Sequence, residues 1–151
     1  MAATPPAEPP IKENSVQITR SSSAETTPGP GEWFTGRVYV DTVASPTEPP
    51  RLGAASVLFT PGARTAWHTH PLGQTIYVTE GIGLCQRRGG EIEVIRPGAH
   101  VFFEPGEDHW RGAAPGRFMT HIAMQEADGA GSPVAWGEHV TDEEYGATPA
   151  S

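Results

Sequence analysis

The stretch that decides the fold reads Pro61-Gly62-Ala63-Arg64-Thr65-Ala66-Trp67-His68-Thr69-His70-Pro71-Leu72-Gly73-Gln74. Side chains two residues apart on a strand lie on the same face, so an extended segment directs the imidazoles of His68 and His70 to one side. The Pro-Leu-Gly turn then reverses the chain and brings Gln74 back towards them, where its side-chain oxygen is a further ligand candidate. This pattern predicts a metal site on neighbouring short strands.

A fourth ligand candidate, His109, follows the turn at Pro105-Gly106 and begins a later predicted strand. We expect it to reach the same ion from across a barrel. Three neutral imidazoles and one amide oxygen leave the full +2 charge on a divalent ion, which suits a Lewis acid that holds an alkoxide, hydroxide or cyanide. Redox chemistry at iron is less natural for this ligand set but stays open. Manganese, iron, zinc and nickel all accept such ligands.

The rest of the chain reads as short strands with alternating apolar and polar residues. The 151 residues include 18 Gly and 16 Pro, a composition that favours many tight turns over long helices. We predict strands, and hence an all-β antiparallel sandwich or barrel, over residues 37–40, 54–60, 65–70, 74–79, 82–87, 91–95, 101–103, 109–112 and 118–125. A capping box at Thr141-Asp142-Glu143-Glu144 predicts a short C-terminal helix.

Composition also excludes several classes of protein. The formal net charge of -8 disfavours nucleic acid and anionic membranes as partners, and no segment approaches the roughly 20 apolar residues of a membrane span. The single cysteine excludes an intrachain disulfide framework. We expect a soluble protein. No secretory signal is recognisable, so the expected compartment is the cytoplasm, or the periplasm if a signal was removed.

Three segments follow from these patterns. Residues 1–31 are rich in Pro, Ser and Thr and are expected to form a flexible tail, with one edge strand at residues 16–20. Residues 32–146 form the predicted domain, and residues 147–151 a C-terminal tail.

Two motifs in this domain resemble those of the cupin family. The first cupin motif is similar to Gly62-x5-His68-x-His70-x3-Gln74-x6-Gly81, in which Gln74 stands where many cupins have Glu. The second is similar to Gly98-x5-Glu104-Pro105-Gly106-x2-His109. There the proline comes one position late, and Ala113 replaces the usual terminal asparagine. The wider runs resemble small bacterial cupins that include the (R)-selective hydroxynitrile lyases. This resemblance implies a double-stranded β-helix (a jelly-roll barrel), manganese(II) as the cofactor, and a homodimer or homotetramer.

The predicted strand at 118–125 carries a further candidate, His121, on the same face as Gln125. From the residues alone, His121 is a fifth ligand, a general base, or a core histidine. The resemblance implies that His121 is the base and that Thr65 and Gln125 line the site. The opposing wall would come from Ala55, Val57 and Phe59, whose sizes leave room for an aromatic ring, although plain core packing explains these three equally well.

Three hypotheses of function follow. The first is reversible cleavage of an (R)-cyanohydrin such as mandelonitrile into an aldehyde and hydrogen cyanide. The second is a non-haem metal dioxygenase or another oxidoreductase on the same scaffold. The third is a cupin that binds a metal or a small ligand without catalysis.

Overall fold

The structure is a computed structural model that describes residues 16–20, 25–46, 50–147 and 149. Its elements are β1 (Thr27–Pro28), β2 (Phe34–Thr35), β3 (Val38–Ala44), β4 (Leu52–Phe59), β5 (Arg64–Thr65), β6 (His68–Thr69), β7 (Gln74–Gly81), β8 (Gly83–Arg87), β9 (Glu93–Ile95), β10 (His100–Phe103), β11 (His109–Ala113), β12 (Met119–Glu126), β13 (Ala135–Trp136) and α1 (Asp142–Tyr145).

The strands form two antiparallel sheets that enclose one core, so the predicted jelly-roll barrel is confirmed. The first sheet has the order β1-β3-β4-β12-β7-β10. The second has the order β13-β6-β11-β5-β2, and β8 joins it by pairing with both β11 and β9. The predicted strand at 65–70 is divided into β5 and β6, which both pair with β11. This places β11 and β6, with their histidines, in the centre of the second sheet.

Alternation along the central strands explains which side chains face the barrel interior. On β12, Met119, His121 and Ala123 are buried, and its neighbours β4 and β7 bury Val57, Phe59, Ile76 and Val78 in the same way. Val57 is the register partner of His121. On the first sheet the period of two thus lines the interior with apolar side chains, together with the buried His121 on β12 and Gln74 on β7.

A second apolar cluster lies on the other face of the second sheet, under the C-terminal segment. It consists of Trp67, Leu84, Ile92, Trp110, Val140 and Tyr145. The predicted capping box is confirmed, because the Thr141 hydroxyl accepts from the Glu144 N–H and the Glu144 carboxylate accepts from the Thr141 N–H. Tyr145 anchors α1 by donating its hydroxyl to the Ala113 carbonyl oxygen at 2.5 Å.

The N-terminal region differs from the expected arrangement. Residues 16–20 are exposed and form no strand within the described part of the chain. The edge strand is β1, which lies within the predicted tail and pairs with β3. Pairing of residues 16–20 with a neighbouring subunit stays a prediction, and the rest of the tail up to residue 15 lies outside the described residues. No helix of the described ranges is both long enough and apolar enough to cross a membrane.

Candidate metal centre and adjoining cavity

Three histidines converge inside the barrel. His68 on β6 and His109 on β11 are register partners, and His70 follows directly after β6. Their ligand atoms all lie within 4.8 Å of one another, and all three side chains are buried. Bonds of about 2.0–2.2 Å allow two ligands of one ion to be at most about 4.4 Å apart, so the three rings need only a small contraction, and the Arg111 Nη1, which lies 2.6 Å from the His68 Nε2, has to release that atom. The predicted convergence of these histidines is therefore observed.

Main-chain oxygens set the tautomer of each of these rings. The Nδ1 atoms of His68, His70 and His109 face the carbonyl oxygens of residues 66, 133 and 107 at 2.9, 2.6 and 2.9 Å. Because a carbonyl oxygen only accepts, each Nδ1 carries the proton and each Nε2 keeps its lone pair. The Nε2 of His70 has no hydrogen-bond partner, although it is buried. This is the protonation state that metal ligation requires.

Gln74 supports the same conclusion through its amide orientation. Its Nε2 donates to the Gln125 Oε1 at 2.8 Å, so its Oε1 is the atom that lies 3.4 Å from the His109 Nε2. Both of these atoms carry lone pairs, and no hydrogen lies between them. Two facing acceptors repel each other unless a cation neutralises them, so the donor set fits a divalent metal ion.

Burial keeps the imidazoles of the three candidate ligands neutral. Desolvation, and then the charge of Arg111, lowers the pKa of His70 to about 4 and that of His109 to about 3. The same two causes lower the pKa of His68 well below 6.5. At neutral pH all three rings are therefore unprotonated and able to coordinate.

Arg111 is a candidate functional residue that sequence analysis missed. It lies two residues after His109 on β11 and is 5% exposed. Its Nη1 donates to the His68 Nε2 at 2.6 Å, and its Nε donates to the His121 Nε2 at 2.9 Å. Burial lowers its pKa to about 9, so it remains charged at neutral pH. The spacing of two from a ligand histidine was the signal that placed it on the inward face.

His121 is fully buried and bonded to Arg111 rather than to a ligand atom. Because its Nε2 accepts from the guanidinium, its neutral form carries the proton on Nδ1, which has no partner in the described structure. Burial, followed by the charge of Arg111, lowers its pKa well below 6.5. The pKa of His121 in the barrel therefore lies well below that of a free imidazole.

A cavity of about 380 Å³ lies beside the histidines. Its lining includes His70, Gln74, Arg111 and Gln125 at the polar end and Ala55 and Val57 on the wall.

The other predicted site residues lie behind this lining. His68, His109, His121, Thr65 and Phe59 are not among the residues that line the cavity. Phe59 belongs to the core, where its ring packs against Phe34 and His121, so its predicted place in the substrate wall is not observed. The Thr65 hydroxyl accepts the Arg111 N–H at 3.1 Å and thereby joins β5 to β11.

The barrel and its histidine cluster define the class of protein, and comparisons with known proteins agree with it. The model of the cupin domain matches residues 55–120. An (R)-mandelonitrile lyase from Granulicella tundricola is 54% identical over 130 residues, which cover 86% of this chain and 98% of that protein. The chain belongs to the cupin family.

Solved structures show the same architecture. A cupin-like protein from Thermotoga maritima is 37% identical, with a TM-score of 0.74 over 79% of this chain and 90% of that one. A cupin-2 domain protein from Rhodospirillum rubrum has a TM-score of 0.64 over 90% of this chain and 87% of that one, at 14% identity. This second likeness concerns the fold alone.

Proposed function

We propose that this cupin is a metal-dependent hydroxynitrile lyase, which cleaves and forms (R)-cyanohydrins such as mandelonitrile with release or uptake of an aldehyde and hydrogen cyanide. The observation that carries the proposal is the cluster of unprotonated Nε2 atoms, of which that of His70 belongs to a residue lining a cavity large enough for an aryl cyanohydrin. The similarity to an (R)-mandelonitrile lyase across 86% of the chain supports the choice of reaction.

His68, His70, Gln74 and His109 are the proposed metal ligands. A divalent ion held by them would supply Lewis acidity towards the hydroxyl oxygen or the departing cyanide. We propose manganese(II) on the basis of the family resemblance, with iron(II), zinc and nickel as alternatives.

His121 is the proposed general base. It would take the proton of the substrate hydroxyl at Nε2 as the carbon–carbon bond to the nitrile breaks, and the same proton would leave with cyanide as hydrogen cyanide. Because the Arg111 Nε donates to this atom, the guanidinium has to release it before a proton can enter. The depressed pKa of His121 keeps it unprotonated at neutral pH, and the same burial and the charge of Arg111 make it a weaker base than a free imidazole.

The remaining proposed roles concern orientation. Gln125 lines the cavity, and its amide is fixed by the hydrogen bond from Gln74. Thr65 lies behind the cavity lining, and its oxygen accepts from the Arg111 main chain, so a hydrogen bond from its hydroxyl to the substrate would need the substrate to pass the lining. Ala55 and Val57 form the wall against the substituent of the substrate, and Phe59 supports that wall from the core.

The assembly and the compartment belong to the same proposal. We propose a homodimer or homotetramer that acts on a small molecule in the cytoplasm, or in the periplasm if a signal was removed.

The test is an assay with racemic mandelonitrile at mildly acidic pH, where uncatalysed breakdown is slow. Protein loaded with manganese should release benzaldehyde and leave the (S)-enantiomer, as followed by absorbance and chiral chromatography. Free manganese and a metal-loaded His70→Ala variant are the controls. A rate equal to that of free metal contradicts the proposal, and oxygen consumption with a flavonol, diketone or thiol would favour the oxidoreductase instead.

A further inference from the structure

Arg111 introduces an uncompensated positive charge into the cavity. The described lining contains no Asp or Glu, and Arg111 is its single charged side chain. Among the described residues, the ion pairs involve Arg64, Arg87 and Arg88, and none includes Arg111. A buried cation without a counter-charge is unfavourable, so the cavity is electrostatically suited to an anion.

The hydrogen bonds of the guanidinium leave part of it available. Nε and Nη1 donate to the neutral rings of His121 and His68, neither of which offsets the charge. Nη2 makes no hydrogen bond to any described residue, and it is not among the buried side-chain atoms without a partner, which are the Nε2 of His70 and the Nδ1 of His121, so solvent reaches it. The planar guanidinium, with its N–H donors beside the cavity, is the side-chain group that pairs best with a planar carboxylate.

The rest of the cavity matches the other end of such a ligand. Its walls include the rings of Trp33, Phe34 and Trp136, with Val57 beside them. Trp33 and Trp136 are stacked, with ring centroids 5.2 Å apart. The cavity therefore combines an apolar wall for a small hydrocarbon group with a cationic end next to the histidine cluster.

We propose that Arg111 makes this cavity a binding site for small organic carboxylates with an apolar substituent. This goes beyond the proposed lyase reaction, whose cyanohydrin substrate is neutral. It does not depend on that reaction either, because binding is measured on metal-free protein and the lyase assay on loaded protein.

The test compares (R)-mandelate with (R)-mandelamide, which has the same ring and hydroxyl group but is neutral. Binding is measured by titration calorimetry on protein stripped with chelator, so that no metal attracts the carboxylate. Wild-type protein should bind mandelate at least about ten-fold more tightly than mandelamide. In Arg111→Gln this ratio should fall to about one, whereas Arg117→Gln, which removes an exposed arginine that does not line the cavity, should keep it.

Several outcomes would overturn the proposal. Equal affinities in wild-type protein, undetectable mandelate binding at millimolar concentration, or a preference that survives in Arg111→Gln each contradict it. The wild-type comparison decides the matter even if Arg111→Gln fails to fold. A failed lyase assay together with an intact mandelate preference would reject the proposed function and keep this site.

Discussion

At the scale of single residues, the chemistry of the centre depends on how each imidazole is held. The ligand histidines donate Nδ1–H to main-chain carbonyl oxygens, not to carboxylates, so their partners add no negative charge. Gln74 adds none either, and Arg111 adds a positive charge. A bound divalent ion would therefore sit in a strongly positive environment, which favours anionic groups in its remaining coordination positions.

Replacing His121 separates the roles of base and ligand. His121 is not part of the three-histidine cluster, and its Nε2 faces Arg111. We therefore expect metal-loaded His121→Ala to keep its metal and to lose at least about 100-fold in the rate of mandelonitrile cleavage. Elemental analysis and the benzaldehyde assay measure the two effects. His139→Ala, which removes an exposed histidine, should change neither, and loss of metal from His121→Ala would show that His121 is a ligand.

For single residues, the spacing along a strand predicted which face a side chain lies on but not which groups it contacts. The i, i+2 spacing correctly placed His68 and His70 on one face, and the turn brought Gln74 to the same point. The same rule applied to His109 would have directed Arg111 inward. It could not have shown that the guanidinium meets His68 and His121, because that contact depends on the packing of β11 against two other strands.

At the scale of elements, two motif glycines have the same backbone conformation but different surroundings. Gly62 and Gly81 both have φ of +80°, yet a Cβ at Gly62 meets nothing within 4 Å, whereas one at Gly81 would lie 1.9 Å from the Phe118 carbonyl oxygen. Gly62→Ala should cost about 1 kcal/mol from the backbone conformation alone. Gly81→Ala should cost more than about 3 kcal/mol, because β7 and β12 must also separate there. Urea unfolding measures both, and equal losses would contradict this reading.

The buried Arg64, on β5 of the second sheet, binds the C-terminal segment that carries α1. The Arg64 side chain donates to the Val140 carbonyl oxygen at 3.2 and 2.8 Å and to the Asp142 carboxylate at 2.8 Å, and it packs on the Tyr145 ring. Arg64→Met should therefore destabilise the fold by about 2–4 kcal/mol and expose α1 to proteolysis. The matched change Asp142→Asn should cost at most about 0.5 kcal/mol, because the Asp142 side chain is 98% exposed. Similar losses in the two variants would show that the surface ion pair dominates.

Local sequence patterns were sufficient to predict the elements that depend on contacts between residues close together in the chain. The capping box placed α1 correctly, and the predicted strands at 82–87 and 91–95 are observed as β8 and β9, which pair with each other. Residues 16–20 form no strand within this chain, because an apolar alternation indicates only a capacity to pair. Which segment actually pairs with β3 depends on where the chain enters the barrel, and β1 occupies that position.

At the scale of the whole molecule, the outer face of the first sheet carries large apolar side chains. Tyr39, Leu58, Tyr77 and Phe102 are between 36% and 54% exposed. If this face forms the proposed homodimer or homotetramer contact, wild-type protein should sediment as a multiple of the monomer mass and Phe102→Glu as a smaller species. Val94→Glu, which changes the second sheet, is the control. A monomeric wild-type protein would contradict the proposed assembly.

The buried histidines also make the stability of the metal-free barrel depend on pH. The pKa of His70 is about 4 and that of His109 about 3 in the folded state, against 6.5 in the unfolded chain. Between these values the unfolded chain binds more protons, so the free energy of unfolding falls as the pH drops below 6.5 and continues to fall towards the folded-state pKa values. Between pH 8 and pH 5, the free energy of unfolding of protein stripped of metal with a chelator should fall by on the order of 2 kcal/mol per histidine, as measured by urea unfolding. The double variant His70→Asn/His109→Asn should lose correspondingly less over the same interval, and an unchanged pH dependence would place the responsible protons elsewhere.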